Sequence, residues 1–256
     1  MTKRLSLMVV GLGLFVGGCK DPYADLAKQD AAIRAEHAPK MAELKEKLEK
    51  ARAEASKIPP LTPPGRIPGP PVVPDNGSDS KAANTAILVQ DAGFCEANLA
   101  ATEPFRFAGA NAFCSKSSFD RPIALDPKTT PKDRLPSILE NIRKRTAQAV
   151  ALRYAIFVTT KTFQAPKLYL DTFRGAVYEA EARLFDLESG AYLGGFPVAA
   201  QSDSSVGVGR HESAHSQLER DFRENVEQAF TKAVSGLGSK DAKVTVGYVF
   251  NQDNKK

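Results

Sequence analysis

Between Ile58 and Ser80 the chain carries eight prolines, Pro59, Pro60, Pro63, Pro64, Pro68, Pro70, Pro71 and Pro74, and closes on Asp75-Asn76-Gly77-Ser78. Proline lacks a backbone N–H and fixes φ, so neither a helix interior nor a central strand can run through such a segment. The spacing predicts an extended, semi-rigid polyproline spacer over 58–83, rising ~3.1 Å per residue. It divides the chain into an amino-terminal part and a domain over 84–251, with a disordered tail at 252–256. The domain, about 170 residues, is long enough to bury a sizeable core.

The amino terminus reads as an export signal. Lys3 and Arg4 precede an apolar run from Leu5 to Val16, and Val16-Gly17-Gly18 leads into Cys19. About 12 apolar residues are too few for a permanent membrane helix and suit a signal peptide over 1–18. Charge, apolar run, small residues and Cys19 together resemble a bacterial lipobox. The resemblance implies cleavage before Cys19, acylation of Cys19, and a chain held to a membrane by that lipid. An ordinary signal peptide with an incidental cysteine is the other reading. In lipoproteins Asp directly after the cysteine marks inner-membrane retention; here Lys20 stands there and Asp21 comes one later, which implies a lipid anchor in the outer membrane, with the periplasmic face expected and the outer surface as the alternative.

Residues 19–57 are expected as a helical tether. Pro22 suits a first helical turn, and the segment is rich in Ala, Leu, Lys and Glu. Met41, Leu44, Leu48, Ala51, Ala55 and Ile58 alternate three and four apart, as in a coiled-coil seam, with Glu43–Lys47 and Glu46–Lys50 supporting the helix. The seam suits either self-association or a helix lying against the domain. Pro39 is expected to kink this helix or start a second one. Helix and spacer together would reach on the order of 100 Å from the membrane.

Beyond the spacer, Ala86–Gln90 reads as a short buried strand. Residues 135–152 read as a helix on Leu135, Ile138, Leu139, Ile142, Ala149 and Leu152. Tyr154–Phe163 is a strand. Ala176–Leu187 alternates, with Tyr178, Ala180, Ala182 and Leu184 on one face and Glu179, Glu181 and Arg183 on the other, as in a half-exposed strand. Asp186–Gly190 makes a turn and Tyr192–Gln201 returns. A helix over 213–236 carries Leu218, Phe222, Val226, Phe230 and Val234, and Val244–Phe250 is a last strand. The order predicts an α+β fold, a mixed or antiparallel sheet with two main helices packed on it. A lipid-anchored domain pairing a helix-then-strand unit with a hairpin turning on Asp186–Gly190 resembles the curli-secretion lipoproteins and the outer-membrane activators of cell-wall synthases. The resemblance spans about residues 135–250 and implies action through surfaces, without a catalytic signature to carry over.

Cys95 and Cys114 are expected to pair as a disulfide in an oxidising envelope, with two buried free thiols as the alternative. His211-Glu212-Ser213-Ala214-His215 matches H-E-x-x-H, in which histidines one helical turn apart hold zinc and the glutamate polarises water. A catalytic zinc needs a third ligand; beyond Glu227 there is no Glu or His, only Asp241 and Asp253, and the flanks are polar. A solvated helix start is the preferred reading, and a zinc-dependent hydrolase on His211, Glu212 and His215 the alternative. Gly207-Val208-Gly209 lacks the third glycine of a phosphate-binding loop, no G-x-S-x-G is present, and no cofactor is expected. The net charge of +5, two charges of which lie in the signal at Lys3 and Arg4, gives little support to a nucleic-acid partner. The Arg143-Lys144-Arg145 run suits anionic lipid, cell-wall polymer or plain solvation. The expected function is a non-enzymatic binding or assembly domain with an envelope protein or cell-wall partner.

Overall fold

The computed structural model describes residues 21–58, 61–65, 67–74, 83–90, 105–107, 128–169, 172–203, 205, 213–238 and 243–248. Cys19, Cys95, Cys114, His211 and Glu212 lie outside the described residues. The elements are α1 (Pro22–Ala55), β1 (Thr85–Val89), β2 (Phe105–Phe107), α2 (Leu135–Val150), β3 (Tyr154–Gln164), β4 (Lys167–Leu168), β5 (Phe173–Arg174), β6 (Val177–Asp186), β7 (Tyr192–Gln201), α3 (Ala214–Ser235) and β8 (Val246–Tyr248). The fold is α+β. Its sheet is mixed, in the order β1-β3-β6-β7, with β1 parallel to β3 and the other pairs antiparallel.

Strand alternation sorts the core into two layers. On one face Tyr154, Ile156 and Val158 of β3, Tyr178 to Leu184 of β6 at every second residue, and Phe196 and Val198 of β7 meet Phe222, Val226, Phe230 and Val234 of α3. β2 and β8 pair with each other and extend this layer; the Phe107 ring stands edge-on to Phe230 at 4.9 Å. Neither β2 nor the two-residue pair β4–β5 carries a periodicity long enough to be read in sequence. The hairpin between β6 and β7 turns on Gly190 at φ 73°, a left-handed position that glycine adopts without a Cβ penalty. Asp186 organises it, its Oδ1 accepting from the Glu188 N–H at 3.0 Å.

The opposite face is covered as well, and of the two readings of the seam the structure shows the helix lying against the domain. Met41, Leu44, Leu48, Ala51 and Ala55 of α1 pack on Ala86, Leu88, Ala155, Phe157 and Phe185, with Ala149 of α2 beside them. The seam thus closes on the chain's own sheet, where each fully buried Leu-sized side chain contributes about 1.5–3 kcal/mol. The helix also continues through Pro39. Pro39 and Ala35 both lie on its exposed side, so the carbonyl that loses its partner faces water. A second consequence concerns β6, which is buried on both faces over its last residues rather than half-exposed. Arg183 is only 7 % exposed. Its guanidinium donates to the Ile58 carbonyl at 3.4 Å and to Glu181 at 2.9 Å.

The described part of the proline segment does not stand off the domain either. Val72 is fully buried in the α3-side core. Tyr154 Oη donates to the carbonyls of Pro68 and Pro70 at 2.7 and 2.9 Å. The Gly195 N–H donates to the Thr62 carbonyl at 2.7 Å. Asn84 accepts from the Val73 N–H and donates to the Pro71 carbonyl, both at 2.9 Å. A polyproline strand has no internal hydrogen bonds, so its carbonyls are available to such donors. Gly194, at φ 120°, lets the strand pass: a Cβ there would sit 2.5 Å from Pro64 Cα. The reach of about 100 Å calculated for a free helix and spacer is therefore folded back onto the sheet.

Leu48→Ala should lower the unfolding free energy of the whole αβ unit by about 2–5 kcal/mol, whereas a free tether would leave it unchanged. Tyr154→Phe should cost about 1–2 kcal/mol and speed proteolysis within 61–74. Urea unfolding with timed limited proteolysis measures both.

Candidate functional site

The contacts order the molecule along one axis. At one end Tyr23 Oη, near the start of α1, donates to the Thr130 carbonyl at 2.7 Å. Next, Arg143 of α2 donates to Gln29 at 3.5 Å, so the two helices run side by side toward the sheet. Further on, Arg52 Nε donates to the Gln90 carbonyl at 2.8 Å, and the Gln90 N–H donates to the Val158 carbonyl halfway along β3. The far end is the β3–β6 tip with β4 and β5, on the order of 50 Å from the start of α1 by helix and strand rise.

That tip is open and apolar. Phe163, Leu168 and Tyr169 are 39, 44 and 47 % exposed and are the exposed large hydrophobic side chains among the described residues. A bulge at Lys161 explains part of this. The register pairs Thr160 with Ala180 but Thr162 with Glu179, so Lys161 is extra and the alternation of β3 inverts beyond it. Phe163 is thereby turned to the α3 face, opposite Tyr178, where its ring stacks on Phe222 at 6.4 Å. Pro166 is buried and separates β3 from β4. β4 and β5 then pair Lys167 with Arg174 and Leu168 with Phe173. Lys167 Nζ lies 5.6 Å from the Tyr169 ring centroid, a cation–π contact at the surface.

The tip is also cationic at its rim. Lys161 pairs with Glu181 at 3.1 Å, and Lys167 and Arg174 are exposed. Burial opposes ionisation of Glu181, but Lys161 and Arg183 outweigh it and hold its carboxyl below the usual range. None of these tip residues stands out in a periodicity reading. The available signal was a largely apolar stretch, Phe163 to Leu170, interrupted by Gln164, Pro166 and Lys167 at the end of a strand.

The H-E-x-x-H segment falls at the start of α3. Ser213 is the N-cap, in extended backbone, with its hydroxyl accepting from the Ser216 N–H at 3.1 Å. The helix therefore begins at Ala214, after His211 and Glu212 in the chain. His215 Nε2 lies 2.9 Å from Glu219 Oε1, a carboxylate one turn further along the same helix. No group of three or more His, Cys, Asp or Glu that could hold a metal occurs among the described residues. Burial pushes the Glu219 carboxyl above its usual range, with His215 pulling it partly back. Burial likewise raises Asp221, partly offset by the Asp203 N–H that donates to it at 3.1 Å.

No family model, curated protein or solved structure matches this chain. The tip and the α3 start therefore rest on their geometry alone.

The acid groups act in opposite senses. Glu219 and Asp221, with folded pKa values raised, add stability that is complete below the unfolded carboxylate range and is lost as pH rises through the folded values. Glu181, with its value depressed, adds stability present above the unfolded value and lost as pH falls through the folded one. In urea unfolding at pH 4 and pH 7, Glu219→Gln should lessen the loss of stability toward pH 7, and Glu181→Gln should lower stability more at pH 7 than at pH 4.

Proposed function

We propose that this chain is an envelope lipoprotein, acylated on Cys19 and anchored in the outer membrane on its periplasmic face, whose αβ domain binds a protein or cell-wall partner through the Phe163–Arg174 tip. The observation that carries the binding reading is the gathering of the exposed Phe163, Leu168 and Tyr169 within one hairpin arm, rimmed by Lys167 and Arg174. A monomeric surface scatters such side chains; gathered and ringed by charge they form an anchor patch. Support for the anchor comes from the lysine–arginine start, the short apolar run and Gly17-Gly18-Cys19. Only Lys20 and Asp21 separate Cys19 from Pro22, where α1 begins. On this reading the anchor and the tip occupy opposite ends of the molecule, and the domain acts by binding, without catalysis.

Cys19→Ser should move the protein from the membrane fraction to the soluble fraction and remove the acyl mass from the mature chain. A photo-crosslinking residue at Leu168 should give a discrete adduct in the envelope, reduced at least tenfold by Phe163→Glu with Tyr169→Ala. An adduct insensitive to those changes would remove the tip from the proposal. One zinc per mature chain, lost on His215→Ala, would overturn the non-catalytic reading and favour a hydrolase on His211, Glu212 and His215.

A further inference from the structure

The positive charge of this protein is unevenly placed. Between residues 128 and 150 stand six cations, Lys128, Lys132, Arg134, Arg143, Lys144 and Arg145, against two carboxylates, Asp133 and Glu140, which is four of the chain's net +5. The neighbouring half of α1, residues 22–40, does not offset this: Lys28, Arg34 and Lys40 are matched by Asp25, Asp30 and Glu36. α2 buries Leu135, Ile142, Thr146 and Ala149, and Arg134, Arg143 and Arg145 are exposed around the rest of its circumference, with Lys132 exposed just before it.

This cationic helix lies at the anchor end. The start of α1 is bonded to Thr130 through Tyr23, and Arg143 meets Gln29. An extended chain from Cys19 to Pro22 spans at most about 10 Å. With acyl chains on Cys19, that span holds the start of α1 and the segment leading into α2 within about a Debye length of the headgroups, where surface charge acts on them. We propose that the exposed cationic side of α2 rests on the anionic phospholipid headgroups of the bilayer that holds the anchor. Lipid and helix then form two attachments, which together set the orientation of the domain on that membrane. The inference rests on the lipid-anchor reading for its geometry, while the attraction between α2 and anionic lipid stands by itself.

The test uses residues 20–256, the mature chain without its acylated Cys19, and sedimentation with vesicles. Vesicles of 3:7 phosphatidylglycerol to phosphatidylethanolamine should bind it at least tenfold more tightly than phosphatidylcholine vesicles, and 0.5 M salt should abolish the difference. Each cation near an anionic surface is worth roughly fivefold in binding. Arg143→Glu with Arg145→Glu should therefore weaken binding more than tenfold, while Lys47→Glu with Lys50→Glu, the same charge change on the sheet-covering half of α1, should weaken it less than threefold. If the α2 double variant fails to fold, Arg134→Gln with Arg145→Gln gives the same reading with a smaller loss. Equal binding to both vesicle types, equal loss in the two double variants, or binding to purified cell-wall sacculi without binding to the anionic vesicles would each overturn the proposal. The mass of membrane-extracted protein reports acylation of Cys19 separately. Acylated protein without vesicle preference sinks only the α2 inference, and vesicle preference without acylation sinks only the anchor.

Discussion

Burial of the β3–β6 pair on both faces is the constraint on which the structure depends. Ile156, Val158, Ala182 and Leu184 face α3, while Ala155, Phe157 and Phe185 on the same strands face α1. A sheet of four strands with one face in water would have left Phe157, Phe185 and Leu187 exposed side by side, a patch that monomers seldom tolerate. α1 removes that patch, and its own apolar seam is removed from water by the same contact. The stability of the helix and that of the sheet are therefore one quantity, because an isolated helix gains little from propensity and needs a packed face.

The proline segment follows from the same arrangement. The chain must travel from the end of α1 on one face to β1 at the sheet edge, and it does so across Gly194 and Gly195 and past Tyr154. Polyproline backbone suits that path. It loses little conformational entropy on docking, and its unpaired carbonyls accept from whatever donors the surface presents. The result shortens the distance between the amino terminus and the sheet from that of an extended spacer to that of one helix lying on the domain.

That shortening changes what the molecule can do in an envelope. On the lipoprotein reading the domain sits beside its membrane with the cationic α2 nearest the headgroups and the aromatic tip at the far end. Partners would have to come to within tens of ångströms of the bilayer, or be resident there. The inversion of β3 at Lys161 matters to this picture, because it places Phe163 on the α3 side, against Phe222, instead of on the opposite face of the sheet.

Periodicity in the sequence was enough to determine α1, α2, α3, β1, β3, β6 and β7 to within a few residues, together with the glycine turn at Gly190 and the α+β class. Those features are local: apolar spacing, capping residues and turn residues act over a few positions, and tertiary contacts did not override them. The export-signal and Cys19 readings rest on equally local residues, which lie outside the described ones. The tertiary structure decided everything that depends on which surface meets which. The spacing of Met41, Leu44 and Leu48 is the same whether the seam meets a second helix or a sheet, and only the apolar Phe157 and Phe185 face of the sheet selects the sheet. Eight prolines specify an extended backbone but not whether it floats or docks; Tyr154, Asn84 and the Gly194-Gly195 gap settle that. β2, β4 and β5 are too short to carry a pattern, and the tip that β4 and β5 help to build depends on one inserted residue in a register that exists only once β3 and β6 are paired.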